Sequence, residues 1–238
     1  MDKKSRLLLC VSLVLCLISV LFAGALQTDW GRVEMNELSI ETPAGTLTGY
    51  LFRPKSASVE HPAPAVVASH GYLNNREMQD CNVIELARRG YVVIAMNAYG
   101  HGDSDVAKEA YASTPEVSSG GMIEFVRYLA TLPYVDREHI GVTGHSMGGG
   151  YTVTTMHYFS GLEKQALEEG LPPEEAHALN LVNTGVVVGN YPGIIVEEKQ
   201  PLLCSFAVIE GKYDEFFYSS SLEVLSSGST QTILSLQT

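Results

Sequence analysis

The sequence predicts an α/β protein, a mostly parallel sheet with helices on both faces, set behind an apolar N-terminal segment. Two observations carry the fold class. From residue 65 onward, short apolar and β-branched runs alternate with helix-length segments. Strands separated by helices of this length build a parallel sheet, because each return to the same edge needs a crossover. Within that alternation, one strand passes into a helix through a glycine-rich turn centred on Ser146. A third observation sets the frame: Leu7 to Leu26 carries no charged residue.

Each element follows in order. Val33 to Thr42 and Thr46 to Arg53 read as strands joined by the turn Pro43-Ala44-Gly45. Lys55 to Pro64 is a connecting loop, and Ala65 to Ala68 a buried parallel strand. Asn75 to Arg89 has helical spacing and stops at Gly90. Tyr91 to Met96 is a strand, Ser118 to Leu132 a helix, and His139 to Thr143 a strand. Met147 to Phe159 is a helix, followed by a polar segment, Glu163 to Asn180, expected on the surface. Val186 to Val188 and Leu203 to Ile209 supply two more strands.

The 238 residues, 45% hydrophobic and 18% charged, suit one globular domain plus an appendage. A net charge of −12 gives no basis for nucleic-acid binding, which needs clustered Lys and Arg. Its ordinary meaning is solubility. Of the four cysteines, Cys10 and Cys16 lie in the apolar run, while Cys81 and Cys204 have apolar neighbours and are expected as buried thiols. No spacing suits zinc, so neither a metal nor a cofactor is expected.

Lys3, Lys4 and Arg6 precede the uncharged run, which is long enough to cross a bilayer as a helix. Positive residues before a span hold that end in the cytoplasm, so the following domain is expected outside it. Residues 1–28 therefore read as a signal anchor or a signal peptide. The triplet Ala23-Gly24-Ala25 fits a cleavage site, whereas the length of the run favours an uncleaved anchor. The expected product is membrane-anchored with an extracytoplasmic domain, or secreted if the segment is removed.

Gly144-His145-Ser146-Met147-Gly148 is a G-x-S-x-G motif, with Gly149 and Gly150 extending it. A serine on a strand-to-helix turn is thrust out of the sheet edge, and flanking glycines relieve the crowding. The helix N-terminus behind it offers N–H groups and partial positive charge to a developing oxyanion.

With its neighbours, this motif resembles the α/β-hydrolase superfamily, in particular its exported esterase, dienelactone-hydrolase and serine-aminopeptidase-like branches. Ser69-His70-Gly71-Tyr72 stands where that family has an H-G-x oxyanion loop. Residues 97–104, Asn-Ala-Tyr-Gly-His-Gly-Asp-Ser, resemble its D-x-R-G-x-G-x-S loop. The likeness covers residues 33–217 and implies an α/β-hydrolase fold. It implies Ser146 as nucleophile and the backbone N–H groups of Tyr72 and Met147 as the oxyanion hole. The elbow itself is Gly144, His145 and Gly148, and His70, His101 and His145 are expected to be structural. In the family order of Ser, then acid, then His, Asp214 after the strand Phe206 to Ile209 is the implied triad acid, with Glu210 and Glu215 as alternatives.

The pattern breaks after Asp214. No histidine follows it; the last in the chain is His177. Residues 218–238 are rich in Ser, Thr and Leu and lack the patterning of a closing strand and helix, so the last strand and helix are expected to be missing. The segment 163–180 occupies the family's cap position and is expected to form a small cap. The function implied is hydrolysis of carboxylic esters or related small acyl substrates through an acyl-enzyme on Ser146, impaired without its histidine. The alternatives are a serine peptidase of the same fold and a non-catalytic hydrolase-like module.

Overall fold

The computed structural model describes residues 2–190 and 202–211. The chain opens with helix α1 (Lys3–Gln27), followed by strands β1 (Val33–Thr42), β2 (Gly45–Pro54) and β3 (Ala63–Ser69). Then come α2 (Asp80–Arg88), β4 (Val92–Met96), α3 (Pro115–Ser118), α4 (Met122–Leu129), β5 (Val135–His145) and α5 (Met147–Glu168). α6 (Pro173–His177), β6 (Thr184–Val188) and β7 (Ser205–Ile209) complete the described part.

The seven strands form one sheet in the order β1-β2-β4-β3-β5-β6-β7. β4, β3, β5, β6 and β7 run parallel, while β2 pairs antiparallel to both β1 and β4. The sheet therefore has one edge where its parallel strands begin and another where they end. Ser146 lies immediately after β5, at the edge where they end.

Alternation along the central strands divides the core between two layers. In β4, Val92, Ile94 and Met96 face the larger cluster, and Val93 and Ala95 the smaller. The smaller cluster is closed by α2, whose Val83 and Ala87 are four residues apart and so share one face. On the other side, α4 buries Met122, Ile123, Phe125, Val126 and Leu129, and α5 adds Val153, Met156 and Phe159. Burying a side chain of this size contributes roughly 1.5–3 kcal/mol, so α4 is held by packing despite its eight residues.

Two expectations change in the structure. The helix expected over 118–132 is shortened to α4, because Gly120 and Gly121 adopt φ of 63° and 92° and set it apart from the preceding turn α3. Cys81, expected to be buried, is exposed, since it lies on α2 away from the Val83 and Ala87 face. Cys204 is half-buried, and desolvation raises its thiol to about 11.

The segment 163–180 does not form a cap over the elbow. Glu163 to Glu168 are the last turns of α5, about 25–30 Å along the helix from its start beside Ser146. There Glu163, nearly buried, accepts hydrogen bonds from Asn180 Nδ2 at 2.8 Å and from the His177 ring at 3.1 Å. Asn180 also donates to the Leu203 carbonyl at 3.2 Å, tying α5 and α6 to the start of β7. The polar character that suggested a cap belongs to this clasp.

Candidate active site

The turn after β5 is tight because two backbones approach closely. A Cβ on Gly144 would come within 2.2–2.9 Å of the Gly148 backbone. A Cβ on Gly148 would meet the carbonyl oxygens of Ser69 and His70 at 2.6 Å. The motif glycines thus let α5 begin directly against the end of β3. Ser146 stands between them at φ 53°, ψ −118°, a conformation that side-chain-bearing residues rarely adopt and that persists only where the surroundings impose it. Its N–H donates to Val188 O at 2.8 Å. Its carbonyl accepts from the Gly149 and Gly150 amides and from Asn190 Nδ2 at 2.6 Å. Both the N–H and the carbonyl of Ser146 are thus engaged.

The loop after β3 approaches from the other side. A Cβ on Gly71 would lie 3.5 Å from Ser146 Cβ, so the H-G-x loop runs beside the elbow with room there for a glycine. Tyr72 and Leu73 follow, 67% and 81% exposed, with Leu73 at φ 56°. Among the described residues, neither the Tyr72 nor the Met147 amide has a hydrogen-bond partner. Met147 is the first residue of α5, so its N–H adds to the positive end of a 22-residue helix.

Three histidines surround this turn. His70 is fully buried; it accepts from the Ala98 amide on Nε2 at 3.2 Å, which leaves the Nδ1 proton to donate to Gly71 O at 2.8 Å. Burial holds it below the ordinary imidazole range. Both nitrogens are committed to shaping the loop. His101 stacks at a tilt against His70, with ring centroids 5.1 Å apart, and its Nδ1 lies 3.1 Å from Tyr99 O. His145 packs its ring between Gly71 and Gly189, where added Cβ atoms would stand 3.3 Å from it.

The loop over 97–104 braces the site from below. Asn97 accepts from the Arg76 amide at 2.8 Å and donates to Thr48 at 3.0 Å, and Ser104 donates to the Asn97 carbonyl at 3.0 Å. The Arg76 guanidinium lies 3.8 Å over the Tyr50 ring and 3.4 Å from Asp103. Arg76, Asn97 and Asn190 were not singled out from the sequence. Asn97 sits in a visible motif, whereas Arg76 and Asn190 act through partners distant in sequence.

Glu210, the alternative acid, is buried at the end of β7, two strands from the elbow. Asp214 and Glu215 lie outside the described residues, as does the tail 218–238. A cavity of about 280 Å³, walled by residues that include Thr42, Tyr99, Glu116 and Arg127, involves neither the elbow nor the H-G-x loop. Its charges are satisfied internally, with Arg127 3.0 Å from Glu116 and 3.3 Å from Glu124.

Comparison with known proteins agrees with this geometry. The family model described as the alpha/beta hydrolase fold matches residues 64–159, which run from β3 into α5. Over 111 residues the chain is 29% identical to the uncharacterized protein YcjY of Escherichia coli (strain K12), covering 46% of this chain and 36% of that protein. The match thus spans little more than a third of that relative's length. Among solved structures, a putative dienelactone hydrolase from Klebsiella pneumoniae superposes with a TM-score of 0.60 at 17% identity, covering 86% of this chain and 85% of its own. The Pyrococcus furiosus esterase Pf2001 gives 0.60 at 16% identity, covering 85% and 82%. A dienelactone hydrolase-like promiscuous phosphotriesterase from metagenomic libraries gives 0.58 at 16%, covering 86% and 82%. At these identities the structural likeness speaks for the fold. The chain thus has the α/β-hydrolase fold, and its segment from β3 into α5 matches that family's model.

Proposed function

We propose that the chain is an exported, membrane-anchored serine hydrolase of carboxylic esters or related small acyl substrates. One observation supports this most: Ser146 is held at φ 53° beside two backbone amides, Tyr72 and Met147, that have no partner among the described residues. In the proposed reaction, Ser146 Oγ adds to the substrate carbonyl and its proton passes to a base. The two amides donate to the oxyanion, the alcohol leaves with a proton, and water then releases the acid from the acyl-serine. The choice of ester follows two structures of similar fold, a Pyrococcus furiosus esterase and a putative dienelactone hydrolase.

Asp214 is the proposed triad acid. No histidine follows it in the sequence, and His177 is engaged with Glu163 at the far end of α5. A serine hydroxyl is a weak nucleophile until a base takes its proton, so the proposed reaction needs one beside Ser146. The test is labelling of the full chain with a fluorophosphonate probe, beside turnover of a short-chain nitrophenyl ester. Labelling that is lost in Ser146→Ala supports the proposal. Absence of labelling at millimolar probe leaves a non-catalytic module.

A further inference from the structure

We infer that the chain stands on the bilayer with its catalytic edge pointing away from it, so that Ser146 receives acyl substrates from the aqueous phase and not from the leaflet below. The inference rests on the reading of residues 1–28 as a membrane anchor.

Helix α1 is the one described helix long and apolar enough to span a membrane, and none of its residues is buried. It therefore projects from the domain, touching it only at its end. That end is fastened. Trp30 N donates to Ala25 O at 2.7 Å, and Val33 N to Thr28 O at 2.9 Å. Asp29, Trp30 and Gly31 all have positive φ, so the chain reverses within a closed turn and enters β1 without a flexible linker. Arg88, at the end of α2, donates to Leu26 O and lies 4.0 Å from Asp29.

The topology decides which edge this is. Val33 pairs with Pro54, and the neighbouring Phe52 pairs with Val93 near the start of β4. The anchor thus joins where the parallel strands begin, and Ser146 lies where they end. β3 alone rises about 20 Å between those edges.

The anchoring edge has the chemistry of a membrane interface. Trp30, the only tryptophan, is exposed and meets Phe22 edge-on at 5.7 Å, the placement favoured by amphipathic rings at a headgroup boundary. Arg32, Lys55, Arg88 and Arg89 cluster around the exit of α1, with Lys55 N bonded to Arg32 O. Asp29 and Glu85 pair with three of them. At the opposite edge, the loop after β4 carries Asp103, Asp105 and Glu109 against Lys108.

The test places one fluorophore at each edge of the full chain, in vesicles of phosphatidylcholine and phosphatidylglycerol bearing a headgroup nitroxide quencher. The native cysteines are replaced by serine, and either Val59→Cys or Val106→Cys carries the label. Both sites are exposed, at 63% and 80%, one in the loop between β2 and β3 and the other in the loop after β4. The expected result is quenching several-fold stronger at position 59 than at 106. Equal quenching, or stronger quenching at 106, overturns the inference. Vesicle flotation and quenching of Trp30 report the anchor separately: a chain that does not float removes both the anchor and the orientation. A chain that floats with quenching at 106 removes the orientation alone.

Discussion

At the edge where β3 and β5 end, the connecting turns hold Gly71, the left-handed Leu73 and the strained Ser146, and open amides face outward. At the edge where the parallel strands begin, the turns are closed by hydrogen bonds and lined with paired charges. Helix polarity explains the division. α5 begins at the first edge and directs unpaired N–H groups and partial positive charge there, which suits an anion formed during reaction. α2 ends at the second edge, where its carbonyls favour Arg88 and Arg89. One sheet thus separates the turn at Ser146 from the junction with α1.

The comparison breaks first at Ser146. Ser146→Ala is expected to abolish fluorophosphonate labelling while changing the urea midpoint little, because the hydroxyl makes no hydrogen bond among the described residues. A large stability change would show the serine to be structural.

Gly148→Ala comes next. Its Cβ would press on backbone carbonyls that cannot swing aside, costing about 1–3 kcal/mol, measured by denaturant unfolding. The labelling rate of Ser146 should fall with it.

The thiols report the edges independently. At pH 8, iodoacetamide should modify exposed Cys81, at the start of α2, well before Cys204, at the start of β7. A thiol raised to about 11 is ionised to about one part in a thousand at that pH. Peptide mass mapping against time reads the difference.

Acid should weaken the catalytic edge through His70. Its folded value lies below the ordinary 6.5, so below that pH the unfolded chain binds a proton that the folded chain refuses. Stability present above about 6.5 is therefore lost as pH falls through the interval down to the folded value. His70→Gln should flatten this part of a stability–pH curve.

The smallest effect is expected at the anchoring edge. Arg88→Ala removes a partly exposed ion pair and should cost up to about 1 kcal/mol, read as a shift in Trp30 emission and a slight fall in thermal midpoint.

Much of this was legible in the sequence where the determinants are local. The elbow is visible because G-x-S-x-G joins a strand signal to a helix signal within five residues. His70 is readable as a loop-former because it lies in a recognisable H-G-x segment. Cys81 misleads because its apolar neighbours Val83 and Ile84 say nothing about which face of α2 it occupies. The polar run 163–180 misleads similarly, since Glu163 and Asn180 are buried against each other at the far end of α5 and His177 bonds to Glu163 there.

By itself, the sequence determined the alternation of strands and helices, the glycine-rich strand-to-helix turn at Ser146 and the apolar N-terminal helix, all set by side-chain periodicity and glycine placement over short windows. Only the tertiary structure decided the strand order and the approach of the Gly71 loop to Ser146. It also decided the bracing of the elbow by Asn190 and the attachment of α1 at the edge opposite the serine. These depend on pairings between residues tens of positions apart, which the chain makes only by burying the two faces of one sheet.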